Sequence, residues 1–486
     1  MRPSPVAKER RLSGGPDSFP CYVGKTGGVE KVDERRAAGL RFAGRVVASA
    51  LVALAFLPTR ASAQEISPAP DFLLRTTDGA LPPPARLHGI EADGYRFLTG
   101  PGVAEAIFPD ANAEGVDERT VRDDQLIRFG RGVERPRLPL VSLVDGSVLA
   151  GELVSLGREA LLLDSQLYGE LSLPLGLIRG IALRPPYDPA ARDALLDRIA
   201  RYDGSDDALE LTDGPTALGV WSPGASTDVR PSGPVPFGTR LDRFFVETAS
   251  AEQPLEYSRE RVRALFIAPA ARSGVADDAK AFAWWGFRDG TLLRVVDRTP
   301  GEETVRAAIA CGLELTLELD QVLEDLVLIE SVGPHAWPAS RLEPQAYRHT
   351  PLTGRDLPLG IDASSIVGRL RVGGGYVATG IGMHSRSRVV FAFDRAYRRF
   401  QAELAVEDAA ASIEGRTLGS VVGAVYLLKE GAWSRAVETP VVRGGGTSAP
   451  VNVDVAGAQA LMLVVEEADG ADVLDRAAWL DARLVP

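Results

Sequence analysis

Ser387-Arg388-Val389-Val390-Phe391-Ala392-Phe393, followed closely by Arg399-Phe400-Gln401-Ala402-Glu403-Leu404-Ala405-Val406, decides the fold of the C-terminal third of this chain. Side chains of a strand point alternately to its two faces, so apolar residues at every second position describe a strand with one face in a core. The pattern recurs in Arg369–Val372, Val421–Leu427, Val451–Val455, Ala460–Val465 and Ala478–Ala482, with Gly, Pro and Asp between the runs. Seven or more short strands at this regularity predict two packed antiparallel sheets over residues 360–486, with a core about 10 Å thick. Trp479 lies among Ala and Leu in the last strand and reads as core.

Upstream, an Asp-Gly pair recurs at Asp78-Gly79, Asp145-Gly146, Asp213-Gly214 and Asp289-Gly290, spaced 67, 68 and 76 residues apart. Asp-Gly between apolar runs marks a hairpin, because glycine accepts the positive φ of a tight turn. The second copy is the clearest: Val141–Val144, the turn, Val148–Val154, Leu161–Leu163, Leu171–Pro174 and a closing strand Ile178–Ile181. Val262–Leu265 and Val322–Leu326 read as the matching closing strands. Small β-barrel-like modules in series are expected, at 64–135, 136–188, 189–275 and 276–350. The one helix of length is predicted over Pro189–Tyr202, where Ala190, Ala194, Leu195 and Ile199 form a stripe. The chain therefore reads as mainly β, a C-terminal jelly-roll sandwich preceded by repeated modules.

Residues 1–63 read as a leader. Arg41 and Arg45 precede the apolar run Val46–Leu57, and Ala61-Ser62-Ala63 has the small-x-small form of a signal-peptidase site. The run is shorter than the ~20 residues that span a bilayer. Export is the expectation, to the outside or to the cell envelope, with no stable membrane insertion after cleavage. The chain carries a formal charge of −12; residues 1–63 hold 11 Lys/Arg against 5 Asp/Glu, leaving 43 against 61 beyond them, a net −18. Such a balance argues against a nucleic-acid partner, which needs basic patches to displace counterions from phosphates.

Little in the sequence supports catalysis. His88, His335, His349 and His384 are far apart and fit no HExxH motif, and neither a CxxC pair nor a Gly-x-Ser-x-Gly elbow occurs. Cys21 falls in the leader, so Cys311 is the single cysteine beyond it; within Ile309-Ala310-Cys311-Gly312-Leu313 it reads as strand core. Gly373-Gly374-Gly375 precedes a strand, where a phosphate cradle needs a helix N-terminus. Asp123-Asp124 and Asp206-Asp207 lie in polar turns and read as solvated loops.

The order of landmarks in the last third resembles the NPCBM carbohydrate-binding module family. Gly380-Ile381-Gly382-Met383-His384-Ser385 is similar to its opening Gly-x-Gly-x-His-Ala/Ser segment, Val406-Glu407-Asp408 to its Val-Asp-Asp turn, and Gly419-Ser420-Val421-Val422 to its Gly-Ser-Val strand. Val453-Asp454-Val455 and the ending Asp475-Arg476-Ala477-Ala478-Trp479-Leu480-Asp481-Ala482 continue the match. Arg476 and Ala478 stand where the family usually has His and Asp. The resemblance implies a galactose-binding-like jelly roll that recognises a glycan. A sugar site needs an aromatic face and a few convergent hydrogen-bonding groups, and the candidates are His384, Arg386, Glu407, Asp408, Trp433 and Arg443. His384 serves either to fix the glycine-rich bend or to touch ligand, and Trp433, after Glu430-Gly431, reads as an exposed hairpin tip. No cofactor is expected; Glu407, Asp408 and Asp475 are the carboxylates available to a structural calcium or a sugar hydroxyl.

The expected function is that of an exported, non-catalytic protein that binds glycan or contacts other envelope proteins. A protein-contact module without sugar binding is the alternative, as is the accessory part of a glycoside hydrolase. The latter needs two carboxylates about 5 to 10 Å apart in a cleft.

Overall fold

In three places an Asp-Gly turn does the work its sequence promises. Asp145-Gly146 joins Leu140–Leu143 to Val148–Ala150, Asp213-Gly214 lies between Ala208–Leu211 and Ala217–Leu218, and Asp289-Gly290 joins Phe282–Phe287 to Leu292–Pro300; each pair is antiparallel. The computed structural model describes residues 74–78, 85–100, 103, 115–157, 159–214, 216–223, 243–247, 253, 255–269, 272, 281–352, 355–410 and 419–486. The leader with its apolar run, Cys21 and Gly79 lie outside the described residues.

Two of these turns carry a third residue that explains their geometry. Ser147 N and Oγ donate to the two carboxylate oxygens of Asp145 at 2.9 and 3.0 Å, and Thr291 N and Oγ1 donate to those of Asp289 at 2.8 and 3.0 Å. The two hydroxyls then accept across the sheet: Ala150 N donates to Thr291 Oγ1 at 3.1 Å, and Arg294 N donates to Ser147 Oγ at 3.0 Å. The two hairpins thus lock one another at the point where Leu292 pairs with Val148.

Four times a strand pairs antiparallel with a later one: Leu74–Thr76 with Leu126–Gly130, Leu140–Leu143 with Ile178–Ala182, Ala208–Leu211 with Val262–Phe266, and Phe282–Phe287 with Leu326–Val332. Between the first three of these pairs the chain makes a three-stranded sheet. The framing strands all belong to one 13-stranded sheet, and Tyr95, Phe129, Leu163, Ile181, Phe244, Leu265, Trp285 and Ile329 share one hydrophobic core. Strand-on-strand closure leaves alternate side chains facing that core.

The closing strand expected at Val322–Leu326 is displaced. Leu319–Asp325 is a short helix, with Val322 buried, and the strand begins at Leu326. Six of its seven residues are Asp, Gln, Glu or Leu, good or tolerable helix residues that a reading by turn offset overlooks. Cys311 is likewise in the turn between Thr304–Ile309 and Glu314–Glu318 and not within a strand; its backbone N donates to Asp145 Oδ2 at 3.1 Å. The predicted helix forms over Pro189–Ala200, with Asp188 accepting from Ala191 N at 2.8 Å and Pro189 in the first turn.

The C-terminal domain is a β-sandwich of two six-stranded sheets. One holds Gly360–Ile361, Gly380–His384, Arg476–Val485, Arg399–Val406 and Ala449–Asp454, with Trp337–Pro338 beside Arg476–Val485. The other holds Pro344–His349, Ser387–Ala392, Ala460–Glu467, Ser420–Lys429 and Ala432–Glu438, with Val442–Arg443 beside Ser420–Lys429. The sandwich thus takes in strands ahead of Gly360. Met383, Phe391, Phe400, Leu404, Val425, Leu463 and Trp479 fill it. A Cβ at Gly423 would lie 2.5 Å from Leu404 Cδ2 and 2.9 Å from the Trp479 ring, so only glycine leaves the indole its place.

The outward face of the first sheet is charged and yet buried, because it packs on the upstream strands. Glu403 accepts from Arg75, Arg128 and Arg131 at 2.6, 2.8 and 3.0 Å, while Arg483 bonds Asp481 and reaches Glu330 at 3.0 Å. Arg371 binds both Glu134 and Asp193, and Arg192 reaches Glu134 at 2.8 Å. Burial by itself would push Glu403 up; the guanidinium groups of Arg128, Arg75 and Arg131 outweigh it and hold the carboxyl well below the usual range. Both halves fall in one compact unit.

Candidate functional site

His384 ends the strand Gly380–His384, where it pairs with Arg476. That register brings three chain reversals together at one end of the sandwich. Ser385 N donates to Asp475 O at 3.0 Å, Glu407 N to Arg476 O at 2.8 Å, and Ser420 N to Asp475 Oδ1 at 2.8 Å. Arg443 joins the same end opposite Ser420. Five of the six candidate residues, His384, Arg386, Glu407, Asp408 and Arg443, therefore belong to one end.

Trp433 does not. It pairs with Leu428, eight residues along the strand Ser420–Lys429 from Ser420, which at the rise of a strand is roughly 27 Å. It lies in the edge strand Ala432–Glu438, directly after the Glu430-Gly431 turn, and is 42% exposed. The aromatic and the polar candidates stand at opposite ends of the domain.

The polar groups divide by what already holds them. Arg386, at φ 59°, donates to Thr350 O at 2.9 Å and to Glu467 at 3.1 Å. Asp408 accepts from Gly373 N and Gly374 N at 2.7 and 2.8 Å and so fixes the glycine-rich bend. These two shape the end. Glu407, by contrast, receives one bond, from Ser364 Oγ at 2.6 Å, and its other oxygen is buried without a partner. Ser420 Oγ and His384 Nδ1 are also buried and unpartnered. An unpaired buried polar atom costs on the order of 1–3 kcal/mol, and a hydroxyl or water oxygen brought to this end would supply the missing partners.

Burial pushes the Glu407 carboxyl up to about 7, against the pull of the Ser364 bond and Arg476. Asp475 is raised to about 6, again chiefly by burial. Burial, with His349 next to it, lowers His384 and keeps its imidazole neutral. The His349 ring stands edge-on, 5.4 Å away, and its Nδ1 accepts from Leu357 N at 3.0 Å, which leaves the proton on Nε2. Leu352 and Val473, 49% and 54% exposed, flank this end, and Leu352 N is tied to Asp472 at 2.7 Å. Neutral imidazole, hydroxyl and a carboxyl near its midpoint both donate and accept, the chemistry suited to uncharged hydroxyl groups. Among the described residues no group of three or more His, Cys, Asp or Glu is placed to hold a metal ion, and no helix is long and apolar enough to cross a membrane.

His349, Leu352 and Ser364 were not among the sequence candidates. They come from segments ahead of the landmark strand, and only the pairing of Pro344–His349 with Ser387–Ala392 brings His349 and Leu352 to it.

The C-terminal domain is thus a two-sheet β-sandwich with polar groups gathered at one loop end. Residues 339–485 match the family model described as the NPCBM/NEW2 domain, and the sandwich is a domain of that family. No curated protein matches the chain. Among solved structures, the chain is similar to CBM51 from Clostridium perfringens GH95 in complex with methyl-galactose, with 24% identity over 31% of this chain and 99% of that one and a TM-score of 0.26. It is similar also to CBM51-2 and INT domains of Clostridium perfringens ZmpB in complex with GlcNAc (20% identity, 40% of this chain, 42% of that one, TM-score 0.27). Tandem CBM51 modules of a family 98 glycoside hydrolase from Streptococcus pneumoniae match at 12% identity over 71% of this chain and 88% of that one, with a TM-score of 0.26.

Proposed function

We propose that this protein is an exported, non-catalytic glycan-binding protein whose NPCBM sandwich recognises a neutral saccharide at its His384–Glu407 end. The observation that carries this reading is the set of buried, unpartnered polar atoms, Glu407 Oε1, Ser420 Oγ and His384 Nδ1, at one loop end of a domain matched to a carbohydrate-binding family. Glu407, His384 and Arg443 are the contact residues, with Arg386 and Asp408 holding the loops that present them. Leu352 and Val473 offer the apolar rim against which the C–H face of a sugar ring packs. Trp433 stands apart from this site, in the edge strand at the other end.

The upstream carboxyl groups support a structural role for that half. Asp289, raised by burial, has both oxygens bound by Thr291, and Glu330 is bound by Thr379 and Arg483. Neither is free to act as a general acid or base. The upstream half serves as a platform that carries the module, and other envelope proteins are its natural partners.

The test is a glycan-array screen of the full chain, with and without calcium, beside Glu407→Gln, His384→Ala and Trp433→Ala. Binding is expected to fall about tenfold or more in the first two and to persist in the third. A folded chain that is silent across the array would overturn the glycan reading in favour of a protein-contact module; binding that needs calcium would add a cation to the site.

A further inference from the structure

The outward faces of the two sheets of the sandwich differ. That of the first carries Glu403, Asp481 and Arg483 and lies against the upstream strands. That of the second is spanned by Pro344–His349, Ser387–Ala392, Ala460–Glu467, Ser420–Lys429 and Ala432–Glu438, in that order across the sheet. Directly paired residues share a face, so the register gives its rows. The middle row is Ala346, Val390, Met462, Tyr426 and Arg435. On one side of it run Arg348, Arg388, Val464, Ala424 and Glu438, and on the other Ala392, Ala460, Leu428 and Trp433. Val389, Phe391, Leu461, Leu463, Val425 and Leu427 alternate with them and point into the sandwich core.

This face is apolar at its centre. Val390, Tyr426, Leu428 and Met462 are half-buried and Trp433 is exposed, and none of the five belongs to a hydrophobic core of the described residues. Five strands and three rows make a patch of about 24 by 20 Å. Two such patches laid together bury about 1,000 Å², the area at which a specific interface begins. The edge beside it is guarded against strand addition, because the pairing of Ala432–Glu438 skips Ala436 as a bulge and Arg435 bonds Glu438 along the edge. A partner therefore meets the face and not the edge.

The two sides of the central strand Ala460–Glu467 are complementary to one another. One side holds small and basic residues, Ala346, Ala392, Arg348 and Arg388; the other holds large and acidic ones, Tyr426, Leu428, Trp433 and Glu438. Arg348 is exposed and has no ion pair among the described residues. We propose that the protein forms a dimer of two identical chains through this face, with the two-fold axis along Ala460–Glu467. That axis lays each side over its opposite: Met462 meets its own copy, Val390 meets Tyr426, Arg348 meets Glu438, and Trp433 stays at the rim. An axis parallel to the strands also leaves both copies running the same way, so their His384–Glu407 ends face one side together. On the glycan-binding reading, the second contact with a surface-borne glycan is then intramolecular; the dimer itself does not depend on that reading.

The test is sedimentation equilibrium of the full chain from about 1 to 100 μM, with the melting temperature as a fold control. The variants are Met462→Glu, which sets two like charges together on the axis, Arg348→Glu, and the exchange Arg348→Glu with Glu438→Arg. A monomer–dimer equilibrium is expected, its dissociation constant raised about tenfold or more by each of the first two and restored by the exchange. A chain that stays monomeric throughout overturns the dimer and leaves the face to a different protein. A dimer that all three variants leave unchanged overturns this face as its interface, and weakening by Arg348→Glu that the exchange does not restore overturns the two-fold arrangement.

Discussion

Glu407 carries the clearest consequence of burial at a single residue. Its carboxyl is pushed up to about 7, so between the unfolded value of about 4.3 and 7 the folded chain holds a proton that the unfolded chain has released. The stability linked to this group is fully present below the unfolded value and is lost as pH rises through 7. Asp475, raised to about 6, acts in the same direction. Thermal melts from pH 4.5 to 8 should show this loss in the wild type, and Glu407→Gln should reduce it, by on the order of 2 kcal/mol at pH 8. Equal slopes in the two proteins would mean that Glu407 is not the group that titrates. His384 and Glu407 were legible in the sequence because they lie in landmark segments, whereas the commitments of Arg386 and Asp408 to backbone were not. A sequence lists donors and acceptors but not which of them the fold has already paired.

The Asp-Gly hairpins show how an element can be legible in part. Turn position followed from glycine's tolerance of positive φ, and Gly146 and Gly290 adopt φ of 90° and 101°. The reason Ser147 and Thr291 follow them is a cross-sheet matter, since each hydroxyl accepts a backbone N–H from the other hairpin. Thr291→Val should therefore cost about 1–3 kcal/mol, as it strips Ala150 N of its partner and Asp289 of one donor; Ser147→Ala should cost a similar amount, and the double variant should cost less than their sum. Denaturant melts of the four proteins provide the check, and strict additivity would deny the coupling. The helix Leu319–Asp325 was not legible from turn spacing, because a closing strand preceded by a helical turn and one without look alike when only distance from the turn is counted.

At the scale of the whole molecule, the junction between platform and sandwich is ionic and buried. Glu403 faces three guanidinium groups, and Glu403→Ala would leave them uncompensated, at a cost of about 3–5 kcal/mol. With its folded value depressed, Glu403 contributes stability that is present above the unfolded carboxylate range and is lost as pH falls below about 4, and Glu134, held down mainly by Arg371 against its burial, follows it. An isolated 339–486 fragment exposes Glu403, Asp481 and Arg483 together with the apolar surface around them, so it should melt at least 10 °C below the full chain or fail to fold; a fragment as stable as the whole would show the junction to be dispensable. The sequence by itself determined the strand-rich class, the sandwich and its family. Period-two alternation and turn chemistry are local, and local order survives in one dimension. Only the tertiary structure decided that Trp433 stands at the opposite end, that the upstream strands share one sheet, and that the outer face of the sandwich is a buried ionic surface. Those depend on which strands pair and which charges meet across hundreds of residues, as Arg75 and Glu403 do, and such long-range pairing leaves no periodicity to read.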